Sequence, residues 1–221
     1  RDRLKFALRR DYPFLATSHY HTWMNSGLMT FSKHPLLSFR RVSHTVQCKY
    51  ERVFGDRTML VSRIAYQGTV PVTVINSHLS SGCPVDSVEM MAIRHRQIHD
   101  IDRTMVSAPH RYRQEPVVVA GDFNCSPQVT PQNYKEMLRL GWVDAWAAAN
   151  GRGGGAGVTW DKNNPLNTNK PSLQGRSHRC DHIWVARSAG PVTVRECRVL
   201  AERSPVSDHY AVSADIELRE S

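Results

Sequence analysis

The sequence predicts an α/β (α+β) protein in which β-sheets pack as a sandwich flanked by helices. Short apolar runs separated by Gly and Pro are typical of strands, and they fill most of the chain. One long stretch, residues 85–105, instead carries apolar residues at helical spacing. No repeat, low-complexity tail or linker divides the 221 residues, so we expect a single domain over residues 1–221.

The N-terminal half of the sequence predicts a short helix followed by a meander of strands. Leu4, Ala7 and Leu8 have helical spacing, and the pattern ends before Pro13, which predicts an amphipathic helix over residues 1–11. After this helix, β-rich runs alternate with turn-forming Gly and Pro, as expected for antiparallel strands. The predicted strands are 28–31, 36–42, 59–66 and 70–76.

The C-terminal half alternates helices and strands. The long helix predicted at 85–105 has Val88, Ile98 and Ile101 on or near one face. The continuous apolar run 116–120 predicts a central strand that is buried on both faces. The further predicted elements are a helix at 133–140 and strands at 183–185, 192–199 and 210–218.

Composition argues against a membrane-spanning protein and favours an anionic partner. Apolar residues make up 40% and charged residues 22%, and no apolar run approaches the length of a membrane span. The chain is therefore expected to be soluble and monomeric, with secreted and cytoplasmic locations both open. A net charge of +9 favours nucleic acid, a phospholipid surface or a phosphorylated small molecule, although it would also serve solubility alone.

Polar side chains stand at the ends of four predicted strands. His78 follows one strand, and Asp122 and Asn124 follow the central one. Asp181 and His209 each precede another strand. Such groups are held by the core yet open to solvent, and we expect them to meet at one edge of the sandwich. Because Asp and Asn oxygens suit Mg²⁺, and Asp with His suits proton transfer at a phosphate, the sequence predicts a metal-dependent phosphoesterase.

Five short motifs follow one another along the chain. They are Ser26-Gly27-Leu28-Met29-Thr30-Phe31-Ser32-Lys33, Asn76-Ser77-His78-Leu79, Gly121-Asp122-Phe123-Asn124, Asp181-His182-Ile183 and Ser207-Asp208-His209. This ordered set resembles the endonuclease/exonuclease/phosphatase superfamily, which has the DNase I-like fold. The resemblance implies a four-layer sandwich of two mainly antiparallel β-sheets flanked by helices. It also implies that a Mg²⁺-dependent cleft hydrolyses a phosphodiester by direct attack of water.

The resemblance also implies roles for individual residues. Asp122 and Asn124 would orient or activate the attacking water, and Asn124 would in addition bind the phosphate. His209 would be the general base or a transition-state hydrogen-bond donor, with Asp181 holding its imidazole in one tautomer. His78 would bind a phosphoryl oxygen of the substrate or act as the acid toward the leaving group.

The implied metal site is incomplete. Asp208 and His209 would help to bind Mg²⁺, or Mn²⁺ or Ca²⁺ in its place, but the family's principal ligand is a Glu in an early Gln-Glu pair, preceded by an Asn. This chain has neither, and residues 1–11 resemble the helix that follows that Glu, so we expect the family's first strands to be missing. Glu51 and Glu89 are the available substitutes, and neither lies in a suitable motif. A truncated inactive enzyme or a non-catalytic binding module is therefore the alternative.

The predicted substrate depends on the region around Trp160. Residues 157–161, 163–166 and 179–183 resemble the corresponding region of neutral and bacterial sphingomyelinases, so sphingomyelin is the predicted substrate. Trp160 would then contact the substrate, whereas as a core aromatic it would be structural only. The alternatives are a DNase I-like endonuclease, in which basic residues contact the nucleic-acid backbone, and, third, a phosphatase acting on small phosphoesters.

The sequence leaves the roles of two pairs of residues undecided, one of tryptophans and one of histidines. Exposed Trp142 and Trp146 would favour peripheral contact with a membrane surface, whereas buried ones would belong to the core. His95 and His99 stand four residues apart on the predicted long helix. They would suit a transition metal if an acidic third ligand lay nearby, and without one they read as a surface pair.

Overall fold

Ten β-strands and five α-helices lie within the residues that the computed structural model describes. Those residues are 2–18, 26–81, 87–106, 115–167, 176–186, 192–200 and 205–218. The strands are β1 (Phe14–Thr17), β2 (Met29–Ser32), β3 (Leu36–Ser43), β4 (Thr58–Tyr66), β5 (Val70–His78), β6 (Val117–Asp122), β7 (Trp142–Asp144), β8 (Asp181–Ala186), β9 (Val192–Leu200) and β10 (Ala211–Leu218). The helices are α1 (Asp2–Leu8), α2 (Lys49–Phe54), α3 (Val88–Val106), α4 (Pro131–Arg139) and α5 (Ala145–Asn150).

The main sheet has six strands in the order β3-β4-β5-β6-β8-β7. Neighbouring strands are antiparallel except β5 and β6, which run parallel because the α3 segment crosses over between them. The predicted class, an α/β protein with mainly antiparallel sheets and flanking helices, is confirmed.

The second sheet of the predicted sandwich is not one continuous sheet within the described ranges. It consists there of two antiparallel ribbons, β1–β2 and β9–β10. The first ribbon contacts β3 and β4, and β10 contacts β8. The two ribbons count as separate sheets because no described ladder of backbone hydrogen bonds joins them.

The hydrophobic core lies between the main sheet and the helices α3 and α4. Alternate residues of a strand point to the same face of a sheet. On the helical face, Ile75, Val119 and Trp184 of the three central strands are fully buried. The long helix contributes Ile98 and Ile101, which are fully buried as its helical spacing predicted.

Several local predictions differ from the structure. Val118 and Ala120, on the other face of β6, are only partly buried, so the prediction of burial on both faces is correct for one face alone. Val88 lies in the first turn of α3 and is exposed, because the core begins further along the helix. Trp142 is buried in the core and does not support the predicted membrane contact. The short elements α2, β1 and β7 were not predicted, because periodicity is weak in so few residues.

The N-terminal helix α1 forms where its sequence spacing predicted it. Its apolar residues are largely exposed rather than packed, including Leu4 and Phe6. Among the helices in the described part of the chain, none is both long enough and apolar enough to cross a membrane.

A buried ion pair fixes the segment that leads into β8. The two terminal nitrogens of Arg179 donate hydrogen bonds to the two carboxylate oxygens of Asp144 at 2.8 and 2.7 Å, and both side chains are almost completely buried. The hydroxyl of Tyr134 donates to Asp144 at 2.7 Å. The same carboxylate accepts from the backbone N–H of Trp146 and so caps α5. The pair therefore ties α4, α5 and β7 to the start of β8.

Close approach of two strands requires glycine at position 121. Gly121 has a φ of +142°, in the region that side chains rarely adopt. A Cβ at this position would lie 1.9 Å from the backbone oxygen of Ser77 in β5. Both the backbone conformation and the space therefore exclude a larger residue at the end of β6.

We expect Gly121→Ala to destabilise the protein strongly. The added methyl group must displace the backbone of β5 and hold a strained φ, which together should lower the free energy of unfolding by about 2–4 kcal/mol. Urea denaturation measures the change. The matched control is Gly153→Ala, whose Cβ meets open space and which should change the free energy by at most about 0.5 kcal/mol. Equal stability of the two variants would contradict this explanation.

Candidate active site

Three neighbouring strands bring polar residues to the same edge of the main sheet. Because β5 and β6 are parallel, His78 and Asp122 end their strands side by side and are register partners. The antiparallel strand β8 begins at that edge, and its first residue, Asp181, is the register partner of Asp122. His78, Asp122 and Asp181 therefore form a row across three strands, as their positions at strand ends predicted.

His209 reaches this row from the segment that precedes β10. Its Nδ1 lies 2.8 Å from Oδ2 of Asp181. The segment is held by backbone pairing, since Trp160 forms antiparallel bridges with both His178 and His209. The four side chains of His78, Asp122, Asp181 and His209 are between 15% and 35% exposed, so a substrate can reach them from solvent.

Asn124 lies beside the row, and part of its side chain is occupied. It has a φ of +47°, a left-handed conformation that Asn tolerates better than most residues. Its backbone N–H donates to Asp122 Oδ1 at 2.8 Å, and its amide nitrogen donates to the carbonyl of Leu79 at 2.9 Å. The predicted binding of water or phosphate by Asn124 therefore rests on its amide oxygen.

His209 and Asp181 form an ion pair. Burial by itself lowers the pKa of His209, but the hydrogen bond and charge of Asp181 outweigh it and raise that pKa to about 9. Burial likewise opposes ionisation of Asp181, and the contact with His209 outweighs it, so the pKa of Asp181 is lowered. At neutral pH His209 is protonated at both nitrogens, which favours a hydrogen-bond or proton donor over a general base.

The pKa shifts of His78 and Asp122 are opposite in direction to those of His209 and Asp181. Burial, followed by the positive charge of Arg57, lowers the pKa of His78 to about 4, so its imidazole is neutral at pH 7. Burial, followed by the negative charge of Asp181, raises the pKa of Asp122. His78 Nε2 lies 3.4 Å from Asp122 Oδ2. A carboxylate whose pKa is moved toward neutrality is suited to accept a proton from water.

Arg57 also lies at the site and was not predicted. Its guanidinium bonds Glu51 at 3.0 Å and the Ser81 hydroxyl at 3.2 Å, and its charge acts on both His78 and Asp122. Glu51 also accepts from Ser80 and from the backbone N–H of Ser81, so its carboxylate is engaged. No sequence motif signals Arg57, because the contact forms only when β4 meets the loop after β5.

Thr159 holds the backbone of Asp181 in place, and this contact was not predicted either. Its hydroxyl accepts hydrogen bonds from the backbone N–H groups of Cys180 and Asp181, each at 3.1 Å, and Thr159 is fully buried. In the sequence, residues 157–161 indicated only a region that would contact the substrate. The structure assigns Thr159 a positioning contact instead.

Comparison with protein families gives a match over most of the chain. The model of the Endonuclease/Exonuclease/phosphatase family matches residues 2–209. The chain belongs to this family. Members of the Endonuclease/Exonuclease/phosphatase family are phosphodiester hydrolases, so the predicted enzyme class is confirmed. A comparison with curated protein sequences gives no match.

Solved structures share the fold of this family member at low sequence identity. A double mutant of beta toxin from Staphylococcus aureus with bound magnesium ions has a TM-score of 0.72 and 17% identity, covering 96% of this chain and 81% of that chain. Sphingomyelinase C from Streptomyces griseocarneus has a TM-score of 0.68 and 18% identity, covering 97% and 80%. TDP2 from D. rerio, complexed with a single-strand DNA product, has a TM-score of 0.70 and 18% identity, covering 98% and 81%. At these identities the similarity shows the fold alone.

The charges at the strand ends of this family member fit a hard cation. Asp122 and Asp181 are paired across neighbouring strands, and burial together with the negative charge of Asp181 raises the pKa of Asp122. A divalent ion beside these two carboxylates would offset their negative charge. Carboxylate oxygens are the ligands that Mg²⁺ and Ca²⁺ take. Asp122, Cys180 and His209 also offer ligand atoms within 4.8 Å of one another. However, burial and then the two carboxylates raise the pKa of Cys180, and a protonated thiol is a poor ligand.

The remaining predicted site residues lie nearby in other roles. Asp208 accepts from the Ser207 hydroxyl at 3.2 Å, and its charge helps to raise the pKa of His209. Because His209 is paired with Asp181, the geometry favours proton donation over metal binding; the metal role of Asp208 and His209 stays a prediction. Trp160 braces His209 through the backbone, and its contact with substrate also stays a prediction.

His182 faces away from the site, because neighbouring residues of a strand point to opposite faces of the sheet. It is 1% exposed, and its ring stacks on Trp184. Its Nε2 lies 2.9 Å from the carbonyl oxygen of Cys125. His182 is therefore a core residue.

We expect Asp181→Asn to lower the pH at which His209 titrates. The protonated His209 contributes stability that is complete below its ordinary pKa of 6.5 and is lost as pH rises through about 9. Removing the charge of Asp181 should move that loss to lower pH. NMR titration of the His209 ring, assigned by comparison with His209→Gln, gives the midpoint without any substrate. A midpoint that is unchanged in Asp181→Asn would rule out the ion pair as the cause.

Proposed function

We propose that this chain is a divalent-cation-dependent phosphodiesterase that hydrolyses sphingomyelin by attack of water. The observation that carries the proposal is the row of His78, Asp122 and Asp181 across three strand ends, with His209 held against it by Asp181. Together these residues provide one proton acceptor, Asp122, and two donors, neutral His78 and protonated His209. Such a set is what in-line displacement at phosphorus requires.

Asp122 and His209 divide the two proton transfers. Asp122, whose pKa is raised by burial, takes a proton from the attacking water as its oxygen bonds to phosphorus. The bond between phosphorus and the departing oxygen breaks, and the imidazolium of His209 supplies the proton to that oxygen. Asp181 remains ionised throughout and keeps the His209 ring in place.

His78 and Arg57 stabilise the phosphoryl group. Neutral His78 donates a hydrogen bond to a non-bridging oxygen, since its low pKa makes it a poor proton source for the leaving group. Arg57 supplies positive charge from the same side, and Glu51 and Ser81 fix its guanidinium. Asn124 completes the contacts through its amide oxygen, which orients the water.

The site would hold its divalent cation at Asp181 together with Asp208, whose charge acts on the same His209, and this leaves Asp122 free to accept the proton. When bound, a cation such as Mg²⁺ would neutralise charge on the phosphate. A magnesium-bound beta toxin with the same fold supports this part of the proposal. Mn²⁺ would also suit these oxygen donors, and Ca²⁺ would bind them at longer distances.

The choice of sphingomyelin is supported by the region around Trp160. This region resembles that of sphingomyelinases in sequence, and in the structure it pairs with the segment that carries His209. A substrate held by Trp160 would therefore lie next to the proton donor. The shared fold of sphingomyelinase C is consistent with this choice.

A second candidate function is hydrolysis of single-stranded DNA. The net charge of +9 favours a polyanion over a zwitterionic headgroup, and TDP2 of the same fold was solved with a single-strand DNA product. Both candidates use the same row of residues and differ only in what surrounds the phosphate.

We expect the full chain with Mg²⁺ to release phosphocholine from sphingomyelin vesicles. Under the same conditions, single-stranded oligonucleotides and plasmid DNA should be cleaved more slowly. His209→Ala and Asp122→Asn should each lower phosphocholine release by about 10²–10⁴-fold, since each removes a proton-transfer group. Phosphocholine assay and gel analysis of the DNA measure the two activities.

The control variant is His34→Ala, which removes an imidazole outside the row and should keep the parental rate. Cleavage of DNA with intact sphingomyelin would replace the first candidate by the second. A folded chain that hydrolyses neither substrate with Mg²⁺, Mn²⁺ or Ca²⁺ would support a non-catalytic binding module or an inactive enzyme instead.

A further inference from the structure

A second group of metal-binding side chains lies on the helical layer and shares no residue with the candidate active site. His95 and His99 project from one face of α3, four residues apart. Glu136 comes from α4, which packs against α3. One ligand atom from each of the three residues lies within 4.8 Å of those of the other two.

The three side chains already interact. The ring centroids of His95 and His99 are 4.7 Å apart. His99 Nε2 lies 2.8 Å from Glu136 Oε1. Around a tetrahedral Zn²⁺ with bonds of about 2.0–2.1 Å, ligand atoms are about 3.3 Å apart, so small rotations of these side chains would be sufficient.

The acidic residue is the part of this group that the sequence did not reveal. A histidine pair on an exposed helix is weak support for a metal site, but a carboxylate as third ligand completes a set that zinc uses. Glu136 is 37 positions from His99 and reaches it only through the packing of two helices. Its side chain is 10% exposed and that of His99 is 34% exposed, so water is partly excluded from the bonds.

The charge of Glu136 also suits a cation. Its carboxylate carries negative charge at neutral pH, as acidic side chains ordinarily do. Arg139 bonds both carboxylate oxygens, at 2.8 and 2.6 Å, but its own side chain is 66% exposed. Zinc must therefore displace this guanidinium from at least one carboxylate oxygen, and the exposed Arg139 side chain is then solvated by water.

We propose that His95, His99 and Glu136 form a binding site for a divalent transition-metal ion of the zinc class. Two imidazoles and one carboxylate hold the ion, and a water molecule takes the fourth position. Imidazole donors select zinc-like metals over Mg²⁺, which distinguishes this site from the oxygen-rich one at Asp181. A bound ion connects α3 to α4 across the face of the core, and it therefore stabilises the folded chain.

The test measures zinc binding to the full-length chain in the His209→Ala background, which removes an imidazole from the candidate active site. After treatment with a chelator, Zn²⁺ is titrated by calorimetry, and the melting temperature is recorded with and without Zn²⁺. We expect one ion per chain and a melting temperature that rises by several degrees. An anomalous difference map at the zinc edge should locate the ion between the three side chains.

Substitutions separate a metal site from a simple contact between helices. His95→Ala should weaken zinc binding by more than about tenfold, because even the loss of a partner outside the ligand set costs 10–100-fold. Since His95 is exposed, the melting temperature of the zinc-free variant should hardly change. Arg139→Gln should tighten zinc binding, because the guanidinium no longer competes for Glu136.

His34→Ala serves as the control for loss of an imidazole elsewhere and should bind zinc like its parent. Zinc binding that is absent from the parent, or equally strong in His95→Ala and Glu136→Gln, would overturn the proposal. The outcome is independent of the phosphodiesterase assays, since none of the three residues belongs to the row at the sheet edge.

Discussion

The parallel pairing of β5 with β6 is the constraint on which the candidate active site depends. In a sheet that is otherwise antiparallel, this one pair lets two consecutive strands end at the same edge. The crossover helix α3 makes the parallel direction feasible and at the same time contributes Ile98 and Ile101 to the core. Were β6 antiparallel to β5, Asp122 would lie at the opposite edge from His78. The fold therefore determines the chemistry through the direction of a single strand.

The candidate active site holds two histidines in different charge states, one cationic and one neutral. His209 is stabilised as a cation because the carboxylate of Asp181 accepts a hydrogen bond from its Nδ1–H, whereas burial and the positive charge of Arg57 keep His78 neutral. The residue type alone predicts neither charge state, because the ordinary pKa of histidine lies between the pKa values of the two rings. The surroundings assign each ring its own task, and the buried hydroxyl of Thr159 keeps Asp181 where it can do so.

Much of the fold could be predicted from the sequence, because the helical period of α3 and the continuous apolar run of β6 are local patterns. The positions of His78, Asp122, Asp181 and His209 at strand ends were likewise visible in the sequence, and the structure brings them together. Arg57, Thr159 and Glu136 could not be predicted, since their contacts arise where distant segments pack. The surroundings of Trp142 were ambiguous for the same reason: its hydrophobicity suits a core or a membrane equally.

The ion pair of Asp144 and Arg179 restricts how this sequence can change during evolution. Replacing either residue alone leaves a buried charge without its counterpart, which costs about 3–5 kcal/mol. That loss is a large part of the 5–15 kcal/mol that typically separates a folded domain from its unfolded state. A viable exchange of the pair for apolar residues therefore requires a change at both positions, or stability gained elsewhere beforehand. Loss of Asp144 alone would disturb both the helix that it caps and the strand that presents Asp181.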